Sequence, residues 1–227
     1  MFSKVVFDQY LEKFPVLLMN REELPNLHMW DAQQHFAKVW DIERLDFDQM
    51  YVESLHSDIS NRLWTGIDYH PKESMMIFLK YEKEFIRSMF RDLYNEGKDL
   101  QMRISRFIFH CDELGKQIKK KEPKLLHHYH DEQMVVNYLM LHDPQRYTYL
   151  DLSSFRSAME AMQARNIPEY ITIESYTKLM RIIQKFVSAD PSLANGYRTL
   201  FPDPKLYVSG SLLLALDFVQ SVRSLDI

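Results

Sequence analysis

Apolar positions recur with helical spacing almost from one end of this chain to the other. Val5, Val6, Tyr10, Leu11 and Phe14 form a first stripe that reaches Pro15. Trp30, Phe36, Val39 and Trp40 mark a second over 30–40, with His35 on its flank. Asp46 is placed to cap a third, carrying Phe47, Met50, Tyr51 and Leu55. Pro71 suits a first helical position with Glu73 in the first turn, ahead of Met75, Met76, Phe78 and Leu79. Phe85, Ile86, Met89, Phe90 and Leu93 continue toward Gly97, a stop signal. Asp99 precedes a long segment with Leu100, Ile104, Phe107, Ile108, Cys111 and Leu114. Further helices are expected over 131–142, after Ser153 or Ser154, over 171–188, from Pro191, and from Ser209 into the apolar run LLLALDFVQSV. Strand-like alternation is confined to 147–150 and 205–208. The pattern predicts an all-α fold, an irregular bundle of about ten helices. The polar stretch 57–68 is the expected boundary between an N-terminal helical segment, 1–68, and a main helical domain, 69–227.

Composition narrows the picture. Of 227 residues, 46% are hydrophobic and 26% charged, enough for a sizeable core. The net charge of -4 gives no general affinity for nucleic acid, although a local basic patch is compatible with it. A single cysteine, Cys111, excludes a disulfide framework and fits a cytoplasmic setting. Lys4, Asp8, Glu12 and Lys13 interrupt the first apolar run, which argues against a signal peptide. No apolar run approaches the roughly 20 residues of a membrane-spanning helix, so no membrane partner is expected. The five glycines are too few for phosphate-cradling loops or many tight hairpins.

Two clusters offer chemistry. The first is His127, His128, His130, Asp131 and Glu132. With an early helix start, His127 and Asp131 stand at i, i+4, as do His128 and Glu132, a spacing that can hold a transition metal. His110 and Asp151 are outer partners for a phosphohydrolase-like His-Asp arrangement, and a metal-dependent phosphohydrolase is the alternative function on this reading. The zinc motif His-Glu-x-x-His is absent, and the plainer reading is a solvated helix start with acids complementing the dipole. The second cluster is Lys116, Lys119, Lys120, Lys121 and Lys124, with Arg103 and Arg106 earlier on the same helix. It can grip phosphates, or simply complement a helix C-terminus. Tyr147 and Tyr149 are candidates for stacking on a base. Gly115-Lys116 is followed by Gln117, so the phosphate loop is missing; there is no Gly-x-Ser-x-Gly elbow either. No catalytic residue and no cofactor are expected, and Cys111 reads as a core thiol.

The segment DEQMVVNYLMLHDPQRYTYL resembles a pattern in the N-terminal helical regions of some bacterial AAA+ proteins related to the GTP-driven, modification-dependent McrBC restriction system. Asp131, Glu132, Tyr138, Leu139, Pro144, Tyr147 and Tyr149 match it. Gln133 stands where the pattern has arginine, and Arg146 where it has lysine. The run LLLALDFVQSV is similar to the apolar helix that closes this region. The resemblance implies a non-enzymatic target-recognition or partner-docking module of a bacterial antiviral defence system. Its target would often be modified DNA, and its partner an AAA+ ATPase/GTPase module or a nuclease. The P-loop module of the fuller architecture is not in this sequence, so the expected relation is to the N-terminal part alone, trimmed or standalone. A purely structural helical domain is the third reading.

Overall fold

A computed structural model of the chain describes residues 2–19, 25–56, 59, 63–64, 68–123, 125 and 127–225. Among these residues the fold is all-α, with ten α-helices and no β-strand. They are α1 (Lys4–Met19), α2 (Leu27–Val39), α3 (Phe47–Ser54), α4 (Pro71–Leu93), α5 (Leu100–Ile118), α6 (Glu132–His142), α7 (Leu152–Ala161), α8 (Ile173–Val187), α9 (Pro191–Leu200) and α10 (Leu213–Ser221). The chain divides into two compact units: Met1–Trp30 with Pro144–Ile227, and Asp31–Asp143. The expected boundary at 57–68 falls mostly outside the described residues. The first unit is discontinuous because α1 packs against α9 and α10 from the far end of the chain.

In the first unit α10 is the hub. Its residues are buried on nearly every side, as its predominantly apolar sequence requires. It packs against α1, α7 and α8. Phe218 meets Phe7 and Phe14 edge-on, each with ring centroids 5.4 Å apart. The one charged residue of α10, Asp217, is fully buried. Its carboxylate accepts hydrogen bonds from the Asn26 side-chain amide, from Trp30 Nε1 at 3.2 Å and from Tyr197 Oη at 2.7 Å. Donors from the start of α2 and from α9 thus converge on one acceptor.

In the second unit α5 folds back on α4 after the short 94–99 connection, and α3 and α6 pack on this pair. Phe90 sits at the centre, with the rings of Phe107, Tyr138 and Trp40 within 5.1 Å of its own. Arg87 is buried against Phe47 and donates to the carbonyls of Ile42 and Arg44, fastening the turn before α3 to α4.

Several helix ends differ from the sequence reading. Helix α1 runs through Pro15, because Phe14 and Leu18 are both buried on its inner face and packing outweighs the hydrogen bond that proline removes. Asp46 occupies the N-cap position of α3 but makes no cap, since Arg44 holds its carboxylate at 2.7 Å. Helix α4 ends at Leu93, short of Gly97, and Glu82 is non-helical within it. Asp99 does cap α5, accepting from Met102 N. Asp151, rather than Ser153 or Ser154, caps α7. The last helix begins at Leu213 with no side-chain cap at Leu212; Ser211, not Ser209, supplies the nearby acceptor. Residues 147–150 form no strand, and 204–206 form a short 3₁₀ turn.

Helix α7 closes in a Schellman arrangement: Ala164 N donates to Met159 O and Gln163 N to Glu160 O. Gln163 has φ 54°, a conformation that favours glycine.

Two outcomes follow. Replacing Asp217 with alanine leaves three buried donors without their shared acceptor, so it should cost about 3 kcal/mol. Urea unfolding would show this as a lower midpoint at unchanged slope. Gln163→Gly should raise stability by roughly 0.5 kcal/mol by relieving the left-handed φ, measured the same way.

Candidate functional site

The histidines preceding α6 belong to the second unit and are organised by a local turn. Tyr129 takes φ 60°, which turns the chain so that residue 130 reaches back onto residue 128. The backbone N–H of His130 donates to His128 Nδ1 at 3.0 Å. That nitrogen must therefore be unprotonated, and neutral His128 carries its proton on Nε2, which donates to Asp112 Oδ1 on α5 at 2.8 Å. His130 Nδ1 lies 2.5 Å from the carbonyl oxygen of His128 and so must be its donor. His130 Nε2 is left as an acceptor and receives the Tyr138 hydroxyl proton at 3.0 Å. Tyr51 Oη, 2.7 Å from Tyr138 Oη, then donates to Tyr138. The hydrogen-bond directions are thus set from buried Tyr51 on α3 to exposed Asp112.

Burial shapes the electrostatics. His130 is completely enclosed, with Phe78, Phe107 and Tyr138 around its ring. Burial, reinforced by His128, lowers its pKa to about 3, so it is neutral at pH 7. Burial likewise raises the Tyr138 hydroxyl and the Cys111 thiol well above their ordinary values. Cys111 Sγ and one nitrogen each of His128 and His130 lie within 4.8 Å of one another, a group of metal-ligating type. Each neutral histidine has one nitrogen lone pair, and both are already used, one by a peptide N–H and one by a tyrosine hydroxyl. The thiol is held protonated. These residues fit a hydrogen-bonded core better than a ligand set. The chain is also interrupted at the His128 carbonyl, which accepts but cannot pass on a proton.

Of the alternative metal set, His128 and His130 come together beside Cys111, while the other members lie elsewhere. His127 is exposed and accepts from Tyr129 N. Asp131 is the N-cap of α6, accepting from Met134 N, and Glu132 opens that helix. His110 stacks edge-on with Phe85. Asp151 caps α7 in the first unit, where Gln220 also holds it.

The lysine run lies at the C-terminal end of α5. Lys116 is tied to Glu113 at 2.7 Å. Lys119 and Lys120 are exposed and make no ion pair among the described residues. Lys121 rests on the ring of Tyr81, 5.2 Å from its centroid, and Lys80 lies 5.1 Å from the same ring. Lys80 and Tyr81 also engage Glu122, at 2.8 and 2.9 Å. Lys80 and Tyr81 come from α4 and were not part of the sequence expectation; the fold-back of α5 on α4 was the available signal. Lys124 lies outside the described residues. Arg103 and Arg106 do not extend the run: Arg103 is buried and donates to Leu93 O and Glu96, and Arg106 pairs with Asp92. Tyr147 and Tyr149 belong to the first unit. Tyr147 is 3% exposed, and the carbonyl of half-buried Tyr149 accepts from Tyr176 Oη.

Compared with known proteins, the chain matches no family model, no curated protein and no solved structure.

The depressed His130 pKa makes stability depend on pH. Unfolded His130 takes up a proton near pH 6.5, whereas the folded residue resists until about pH 3. Its contribution is therefore complete above pH 6.5 and is lost as pH falls between those values. His142, its pKa also lowered by burial, acts in the same direction. Urea unfolding at pH 7, 6 and 5 should lose up to about 1.4 kcal/mol per pH unit for His130 in the lower part of this range. His130→Gln should flatten that slope while lowering stability at pH 7.

Proposed function

We propose that this chain is a non-enzymatic recognition or docking module that engages an anionic target through the end of α5. The observation that carries this reading is the pair Lys119 and Lys120, exposed and unpaired among the described residues, with Lys116 and Lys121 beside them. A helix end accepts cations readily, so the dipole alone accounts for some of this charge. Lys80 reaches the same surface from α4 but is paired with Glu122, so the open charge is that of Lys119 and Lys120. The polar cluster around His130 is engaged in fixed internal hydrogen bonds, which favours binding over chemistry.

The resemblance of residues 131–150 to McrB-like N-terminal regions supports a defence setting. In such systems the target is often modified DNA, and the partner is an AAA+ ATPase/GTPase module or a nuclease. We take DNA as the first target to test. The resembling residues fall in both units, Asp131–Asp143 in one and Pro144–Leu150 in the other.

The wild-type chain should bind duplex DNA at low salt, with affinity falling steeply as salt rises because each neutralised phosphate releases counterions. Lys119→Glu with Lys120→Glu should weaken binding at least tenfold and reduce the salt slope, without altering the helical circular dichroism spectrum. Equal binding by wild type and double variant, measured by fluorescence anisotropy with plain and modified duplexes, would remove α5 from the reading. No binding by either at low salt would leave an acidic protein partner as the target.

A further inference from the structure

The first unit contains a cavity of about 480 Å³, within the roughly 300–1,000 Å³ of small-molecule sites. Its wall is almost wholly apolar, formed by Phe7, Phe155, Met159, Ile171, Ile182 and Phe186 among others. Ile182 and Phe186 remain 40% and 43% exposed, so apolar surface stays open to water at the cavity. Among the described residues, only two charged side chains line it, Lys4 and Arg165, and both are cationic.

The wall is built in advance of any ligand. The Schellman turn that ends α7 brings Ala164 and Arg165 to the cavity beside Met159. Gln163 and Asn166, on either side of that pair, both take left-handed φ, at 54° and 57°. Backbone held in this way is a recurrent property of ligand clamps. Arg156 fixes the following loop by donating to Pro168 O and Glu169 O, at 3.0 and 2.7 Å. Ser3 N donates to Met162 O and ties the start of α1, with Phe2 and Lys4, to the same rim. Lys4 is paired with Asp8, whereas Arg165 makes no hydrogen bond or ion pair among the described residues.

From this geometry we infer that the cavity binds a single-chain amphiphile with an anionic head, its alkyl chain among the α7 and α8 side chains and its head at Arg165. An apolar wall selects the chain, and Arg165, whose charge is not offset by an ion pair among the described residues as that of Lys4 is by Asp8, selects an anionic head. Arg165 is the principal contact, since its guanidinium can hold a carboxylate in two parallel hydrogen bonds and Lys4 already has a partner. This inference does not depend on anion binding at α5, which lies in the other unit.

Titration calorimetry of the full chain with octanoate, decanoate and dodecanoate, all below micelle formation, tests it. Affinity should rise roughly fourfold per methylene until the cavity is filled. Decanol should bind more weakly than decanoate. Arg165→Gln should weaken decanoate at least fivefold and leave decanol unchanged, and this exposed substitution should not alter the melting temperature. Ile182→Asp should weaken both at least tenfold. Lys119→Glu with Lys120→Glu should change neither, which separates this site from the α5 surface. The inference is overturned if no chain length binds, or if decanoate binding ignores both Arg165→Gln and Ile182→Asp. It is overturned equally if decanol matches decanoate and Arg165→Gln has no effect. A dimer in sedimentation velocity that Ile182→Asp dissociates and decanoate does not would mark the cavity as a self-association surface instead.

Discussion

A carboxylate set into the most apolar helix of the chain places a strong demand on its surroundings. Asp217 cannot keep its water, so protein donors must replace it, and they must do so together. Asn26 and Trp30 come from the beginning of α2, and Tyr197 from α9, so residues almost two hundred positions apart are held to one point. Hydrophobic contacts among Phe7, Phe14 and Phe218 supply area but are tolerant of small sliding. A three-donor acceptor is not, because each bond weakens steeply with misalignment. The register of α10 against its neighbours in the first unit is therefore specified by polar geometry within an apolar core.

The second unit solves a similar problem with a chain of partners. Tyr51, Tyr138 and His130 are each fully buried and each has its polar atoms satisfied by the next. Because the directions of the bonds follow from one backbone N–H and one carbonyl, no member can change tautomer without breaking another link. Such a network rigidifies a core when complete and is costly when one member is removed.

The helices were legible in the sequence because amphipathic periodicity is local. Their ends are less so, since neighbouring acids and serines compete for the same cap: Asp99 stands alone before its helix, whereas Asp151 shares its stretch with Ser153 and Ser154, and only the structure selects it. Pro15 misled because its cost is local and its compensation, burial of Phe14 and Leu18, is tertiary. Asp217 did leave a signal, a lone acid within an apolar run. The lysine run was visible, but which cations stay available depends on partners distant in sequence, such as Leu93 O for Arg103 and Asp92 for Arg106. The histidines were visible as metal-type residues, yet Tyr129's left-handed turn decides where their nitrogens go. The cavity had no local signature, because its wall is gathered from residues 2–7 and 155–186.

Cys111, the sole thiol of the chain, is fully buried in the second unit and held protonated there. Thiol-reactive reagents need the thiolate and access to it. Modification of the native protein must then wait for a fluctuation that exposes α5, and its rate becomes a clock for opening of that unit. Since the first unit contains no cysteine, the chain carries a built-in label that distinguishes opening of one unit from unfolding of the whole, without any engineered probe.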